Sequence, residues 1–446
     1  MRPDTVLLFP GQGGYVPGAL HTLIDGVPSA GAQLALIDSV SRGSGLPPVS
    51  SLLTDPASPS LGELVRERTE RLDLVLFASA IANDRVLHEI GLRADILLGH
   101  SFGELAALTV SGALSVADAA RLAGARARAL RETRPAGGMA ALAIDARRAE
   151  HLAGYVDRRG LTVAVDNGPE QCVISGGERS LAELERVARA IDVSFARLPA
   201  AYPFHSRLMR GHAAAIEDLM DHIDLSLPQI PVYSCILGHY IDSIEDIRSL
   251  LTSHLARPVR FYDGLLRVHR DGGRAFVEVG NASVLTPVAR RCLPPGTIIL
   301  TAPADRDDAV SALREGGVPL AAAGPAQPPP NEDDRAATAP PPADVSFPDQ
   351  DREEPGWPGS RAELLGELRA IYARLLDVPE DLLSDDVDLE ADLGVDSIKQ
   401  AESFAHLQRR YRLDDLPGGA RVTSYTTLPQ IAGLVEDLGK PFRARS

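Results

Sequence analysis

Between Pro325 and Pro358, thirty-four residues hold ten of the chain's 34 prolines, eight acids and only two bases. Prolines favour the extended polyproline conformation and like charges repel, so this window cannot bury a core. It reads as a semi-rigid, charge-extended linker, and no single fold can run through all 446 residues. The expected organisation is a large domain at 1–303, a linker at 304–358 and a small domain at 359–440.

Lys and Arg total 45 against 61 Asp and Glu, a formal charge of −16. No stretch clusters bases with interleaved aromatics, so a nucleic-acid backbone would be repelled overall and no nucleic-acid partner is expected. The longest apolar runs, such as Val6 to Phe9 and Ile96 to Leu98, fall far short of the ~20 residues that span a bilayer. Met1 to Leu20 has no signal-like apolar core, so no membrane association and a cytoplasmic location are expected. Cys172, Cys235 and Cys292 are odd in number and widely scattered. Neither a disulfide framework nor a CxxC metal site can be built from them, and free thiols and no metal are expected.

In the large domain, short apolar strands feed glycine turns: Thr5 to Phe9 runs into Pro10-Gly11-Gln12-Gly13-Gly14, and Asp95 to Leu98 runs into Gly99. That pattern suggests α/β. Helical periodicity follows in Leu105 to Val110 and Val116 to Leu130. Strand signals at Ala140–Ile144, Thr162–Val165, Cys172–Ser175 and Ser194–Leu198 are separated by helical stretches, Arg147–Val156 and Leu181–Ile191. This β-α-β-β-α-β order predicts a ferredoxin-like small subdomain at about 136–198. Pro231–Ser234 and Ala275–Val279 supply later strands of the parent domain.

Gly99-His100-Ser101-Phe102-Gly103 fits G-x-S-x-G with a buried strand before it and a helix, Glu104 to Val110, after it. In that context the turn is sharp and strained, the glycines relieve crowding, and Ser101 sits at a helix N-terminus that favours a developing oxyanion. A serine nucleophile needs a base, and His205 lies in a loop where neither periodicity nor a helix face explains it. Spacing alone leaves a merely solvated histidine equally open. The Phe102 N–H and one from the Gly11-Gln12-Gly13-Gly14 loop, best supplied by Gln12, would form the oxyanion hole. The loop could instead cradle phosphate, but it lacks a Walker Lys-Ser/Thr ending.

Together these residues resemble the malonyl-CoA:acyl-carrier-protein transacylase family, which includes the acyltransferase domains of fatty-acid and polyketide synthases. The resemblance covers residues 1 to about 303. It rests on Phe9-Pro10-Gly11-Gln12-Gly13, Gly99-His100-Ser101-Phe102-Gly103-Glu104, Arg126, Gly137-Gly138-Met139-Ala140-Ala141, Asn167, Phe204-His205-Ser206 and Glu278-Val279-Gly280. It implies an α/β-hydrolase-like core, a Ser101–His205 dyad without an obligatory carboxylate, and a backbone carbonyl near Asp271 that orients the histidine. It also lifts Arg126 out of an arginine-rich helix, where Arg121, Arg128, Arg131 and Arg134 read as surface charge. A buried guanidinium offers a bidentate fork to the carboxylate of a dicarboxylic acyl group such as malonyl. Phe204 before the histidine and Phe102 after the nucleophile suit malonyl over a branched analogue, and Asn167 and Tyr202 complete the implied substrate-binding set. The chain departs from the family pattern at Asp73, where glutamine is frequent, at Tyr202-Pro203, at Cys235 and at Gly280-Asn281-Ala282. Tyr202 and Asp73 are expected to line the acyl pocket.

After the linker, Arg361–Leu376, Ile398–Arg410 and Leu428–Leu438 read as helices of a small bundle. Leu393-Gly394-Val395-Asp396-Ser397-Ile398 places a serine at a helix N-terminus with Asp396 as N-cap. This resembles the acyl carrier protein family, and the resemblance implies 4′-phosphopantetheine on Ser397. From Asp377 to Asp396 there are nine acids and no base, a solvated face or a docking surface for basic partner enzymes. The expected activity is that of an [acyl-carrier-protein] S-malonyltransferase. A malonyl or related group would pass from coenzyme A through Ser101 to a carrier thiol, in cis or in trans, for fatty-acid or polyketide assembly. The implied partners are malonyl-CoA, its own and separate carrier proteins, a phosphopantetheinyl transferase and a ketosynthase-containing synthase. A proofreading thioester hydrolase is one rival, disfavoured by Arg126; a carrier or docking protein with an inert transferase half is another, disfavoured by the intact Ser101, His205 and Arg126.

Overall fold

The apolar runs flagged above are strands in the computed structural model, which describes residues 4–21, 27–67, 69–212, 214–280, 282–302, 306–321, 360–376, 383–384, 407, 411 and 427–438. The linker window 325–358, Asn281, Ser397 with its Leu393–Ile398 motif, most of the acidic run and nearly all of the helix expected at 398–410 lie outside the described residues. The chain divides into two compact units, Met1–Ala339 and Pro340–Ser446.

The strands of the first unit are β1 (Asp4–Phe9), β2 (Ile96–Gly99), β3 (Gly138–Leu142), β4 (Leu161–Gly168), β5 (Gln171–Gly176), β6 (Phe195–Arg197), β7 (Val232–Ser234), β8 (His239–Tyr240), β9 (Val259–Arg260), β10 (Gly273–Glu278) and β11 (Ile298–Thr301). They form two sheets. The larger has the order β11-β10-β1-β2-β7-β8, parallel throughout except for the antiparallel edge pair β7–β8. Central strands covered on both faces by helices must be apolar throughout, and Val6, Leu7, Leu8, Phe9, Leu97 and Leu98 are all buried. Phe9 pairs with Gly99, so the turns after β1 and β2 leave the sheet side by side at its carboxyl edge, where open α/β sheets place their ligands.

The smaller sheet has the order β6-β3-β5-β4-β9. Its β3, β4, β5 and β6, with helices Ala146–Asp157 and Glu178–Ala190, give the β-α-β-β-α-β order of a ferredoxin-like unit. Strand alternation gives the sheet two apolar faces. Ala140, Leu142, Cys172 and Ile174 join Leu181 and Leu184 of the second helix in a separate small core. Met139, Ala141 and Val173 on the opposite face turn to the cavity described below. Strand β9 comes from the parent domain and pairs in parallel with β4, tying the subdomain to the main body.

The large domain runs past the expected boundary at residue 303. Residues 306–315 form a helix, Ala309, Leu313 and Val318 are buried in the main core, and the Ala321 N–H donates to the Gly91 carbonyl at 2.8 Å. The acids Asp307 and Asp308 mask the i, i+4 apolar pair that carries this helix.

In the second unit, helices Arg361–Leu376 and Leu428–Leu438 bury Leu364, Leu368, Ile371 and Tyr372 against Leu428, Ile431, Leu434 and Val435. Leu383, Leu407 and Tyr411 join the same core, and an Arg361–Glu436 ion pair at 2.8 Å closes one end. Among the described residues no helix is long and apolar enough to cross a membrane.

Candidate active site

The nucleophile turn is built by two close approaches that only glycine permits. A Cβ on Gly99 would run into the Glu104 backbone, and one on Gly103 into the Phe9 carbonyl. Ser101 between them has φ +53°, and His205, on the loop after β6, has φ +57°. Side chains rarely adopt this region, and two such residues facing each other mark a functional constraint. The Ser101 hydroxyl lies 2.6 Å from His205 Nε2, while His205 Nδ1 lies 2.9 Å from the Arg257 carbonyl. A carbonyl only accepts, so Nδ1 carries the proton and the Nε2 lone pair faces the serine. The orienting carbonyl is therefore that of Arg257 and not one near Asp271, which caps the helix Phe261–Arg270 and pairs with Arg267.

Burial, together with the nearby Arg126 and His100, pushes the His205 imidazole down to about 3. It is thus already the free base. Acylation at saturating acyl-CoA should hold its rate from about pH 8 to about pH 5, because base is lost only as pH nears the depressed value. Single-turnover quench across that range checks this, and a protonation limb near the ordinary histidine value would contradict it. His100 and His254 are likewise held below their ordinary value by burial. Unfolding lets all three take up protons, so the melting temperature should fall as pH drops below about 6.5.

The oxyanion donors expected at Gln12 and Phe102 flank the serine. Gln12 opens the 3-10 turn after β1, and Phe102 is the N-cap of the helix Gly103–Val110. Among the described residues neither N–H has a protein acceptor. Both residues line, with Ser101 and His205, a cavity of about 270 Å³.

Arg126 reaches this cavity from the helix Val116–Thr133 and is buried, while Arg121, Arg128, Arg131 and Arg134 are exposed. Its guanidinium lies over the rings of Phe102, at 4.7 Å, and Phe204, at 5.3 Å. Its Nη1 stands 3.4 Å from Asp73 Oδ2, and its Nε and Nη1 make no hydrogen bond among the described residues. A buried cation with unused donors is costly unless a ligand supplies the acceptor. Asn167 also lines the cavity; its side-chain oxygen accepts from His100 Nε2 at 3.0 Å. Tyr202 and Asp73 do not line it. Tyr202 packs edge-on behind Phe204, with ring centroids 5.7 Å apart, and Asp73 sits against Arg126.

Two further side chains that support the elbow, His254 and Glu104, were given no role by the sequence analysis. His254 follows the helix Ile244–Ser253 and donates from Nε2 to the Ser101 carbonyl at 2.9 Å, bracing the strained residue. Glu104 is fully buried and accepts from the Ser234 hydroxyl at 2.5 Å and the Ile236 N–H at 3.0 Å; burial pushes it up to about 8. It ties the elbow helix to β7. A lone acid in a helix otherwise apolar all round is the signal that could have found it. The three cysteines are free.

A family model described as "Acyl transferase domain" matches residues 6–309, and one described as "Phosphopantetheine attachment site" matches residues 366–435. The chain is 32% identical over 306 residues to the phenolphthiocerol synthesis polyketide synthase Pks15/1 of Mycobacterium marinum, across 68% of this chain and 14% of that protein. It is 34% identical over 290 residues to erythronolide synthase EryA3 of Saccharopolyspora erythraea, across 63% of this chain and 9% of that one. It thus spans less than a fifth of either relative. Similar solved structures include the acyltransferase domain from module 8 of the salinomycin polyketide synthase, with TM-score 0.65, 25% identity and coverage of 71% and 76%. FabD from Acinetobacter baumannii matches with TM-score 0.63, 25% identity and coverage of 71% and 99%.

Proposed function

This chain belongs to the acyl transferase domain family and carries a phosphopantetheine attachment region, and on that premise we propose that it moves a malonyl or related dicarboxylic acyl group from coenzyme A to a carrier protein. The observation that carries the reading is the buried Arg126, with unused donors, on the wall of the cavity that holds the Ser101–His205 pair. Its fork would take the far carboxylate of the acyl group and so set the thioester carbon over the serine.

Ser101 Oγ attacks that carbon as its proton passes to His205 Nε2, and the Gln12 and Phe102 N–H groups hold the oxyanion, each donor worth roughly 10²-fold. The imidazolium, braced by the Arg257 carbonyl, returns its proton to the departing coenzyme A sulfur. An ester on Ser101 remains, and the imidazole can next deprotonate an incoming thiol. Phosphopantetheine, when attached, supplies that thiol.

Ser397 is the residue we assign to carry it, because the Asp396-Ser397 motif falls within the matched region. Incubation with coenzyme A and a phosphopantetheinyl transferase should raise the mass of the chain by one arm, and Ser397→Ala should abolish the gain. The transfer reading is tested by intact mass after exposure to malonyl-CoA, acetyl-CoA and neutral acyl thioesters. A malonyl adduct formed in preference to the others supports it, and an adduct only from neutral thioesters overturns it.

A further inference from the structure

The counter-charge already beside Arg126 changes what binding a dicarboxylic acyl group requires. Asp73 and Arg126 are only 4% and 6% exposed, and their 3.4 Å separation is too long for a good hydrogen bond. Among the described residues neither Asp73 Oδ2 nor Arg126 Nε and Nη1 is hydrogen-bonded. The arginine lines the cavity and the aspartate does not, so a ligand carboxylate would meet a guanidinium that faces a carboxylate already. Two carboxylates on one buried guanidinium leave a net charge out of water, and like charges sharing a site drive one of them to take a proton.

Resting on the reading of Arg126 as the acyl carboxylate's partner, we propose that Asp73 is a specificity-determining residue that takes up one proton from solvent when a carboxylate-bearing acyl group binds Arg126. An O–H bond forms on Asp73 as the acyl group enters and breaks as it leaves. The proton settles there because burial already pushes this carboxyl above its ordinary value, against the pull of Arg126.

The surrounding charged and titratable groups are engaged with partners of their own or held neutral. Arg71, on the same helix Thr69–Glu89, is turned to the Pro48 carbonyl. Asp38, on the helix packed alongside, accepts from the Val49 and Ser50 N–H groups, and Glu63, on the short helix before Thr69, accepts from Ser60. Glu104 is bonded to Ser234 and Ile236. Tyr15 sits above its ordinary value and stays neutral. His205 and His254, which feel Arg126, are held neutral by burial.

Titrating full-chain Ser101→Ala protein with malonyl-CoA near pH 7.5, by calorimetry in two buffers of different ionisation enthalpy, counts the protons taken up. Uptake should exceed that with acetyl-CoA by up to one proton, and Asp73→Asn added to the same background should remove the excess. In protein with Ser101 intact, the ratio of malonyl-CoA to acetyl-CoA half-saturation should climb by up to about tenfold per pH unit as pH rises. It should be flat in Asp73→Asn. A merely structural Asp73 would shift both substrates alike. Equal proton uptake for the two acyl-CoAs overturns the proposal while leaving malonyl transfer intact, and this comparison does not depend on the Asn variant folding. Failure to bind malonyl-CoA or to form a malonyl adduct overturns the reading of Arg126 and the proposal together.

Discussion

Ser101→Ala should form no ester with malonyl-CoA and should lose roughly 10³-fold or more in acyl transfer. The loss follows from the geometry, since the hydroxyl removed is the atom 2.6 Å from the neutral His205 Nε2, and among the described residues that line the cavity no other side chain carries a hydroxyl. Folding should survive. The elbow is held by the backbone and by buried neighbours: the His100 N–H on the Phe9 carbonyl at 2.9 Å, His254 on the Ser101 carbonyl, and Glu104 beneath. None of these uses the serine side chain, and alanine meets the positive φ no worse than serine does. Thermal melts should therefore overlay while the adduct vanishes from the intact-mass spectrum. Undiminished adduct on the alanine protein would show that another nucleophile does the chemistry.

The parts of this site that could be read in the sequence are those whose chemistry fixes local backbone. A serine framed by glycines between a buried strand and a helix has few alternatives, so Ser101 and its flanking elements were legible from five residues. The ferredoxin-like order was legible too, because the alternation that places Ala140 and Leu142 in one core and Met139 and Ala141 on the cavity has a period of two. What escaped depends on contacts between distant segments. The carbonyl that orients His205 belongs to Arg257, and no side-chain pattern announces a carbonyl. His254 acts from a helix end with no periodicity. Asp73 was visible as a departure from the family pattern, but its pairing with Arg126 needs the packing of the helix Thr69–Glu89 against Val116–Thr133. The helix at 306–315 was hidden by the acids that flank its two buried residues.

Arg126→Ala should collapse the preference for malonyl over acetyl. A carboxylate held by a buried guanidinium loses both its charge partner and its hydrogen bonds when the fork is cut away, a change that typically costs about 2–5 kcal/mol. Malonyl-CoA acylation efficiency should therefore fall by roughly 10²-fold or more, while acetyl-CoA, which has nothing to place on the fork, should change little. The substitution also strands Asp73, whose carboxylate would then be buried without the cation 3.4 Å away; it should protonate, since burial already favours the neutral form. Stranding could lower activity toward every acyl-CoA, and the double variant Arg126→Ala/Asp73→Asn separates that general cost from loss of the fork. If the fork is what selects, both variants should show the same collapsed malonyl-to-acetyl ratio in competition assays. A ratio that stays at the wild-type value in either would move the selector elsewhere in the cavity, to Asn167 or to the faces of Phe102 and Phe204.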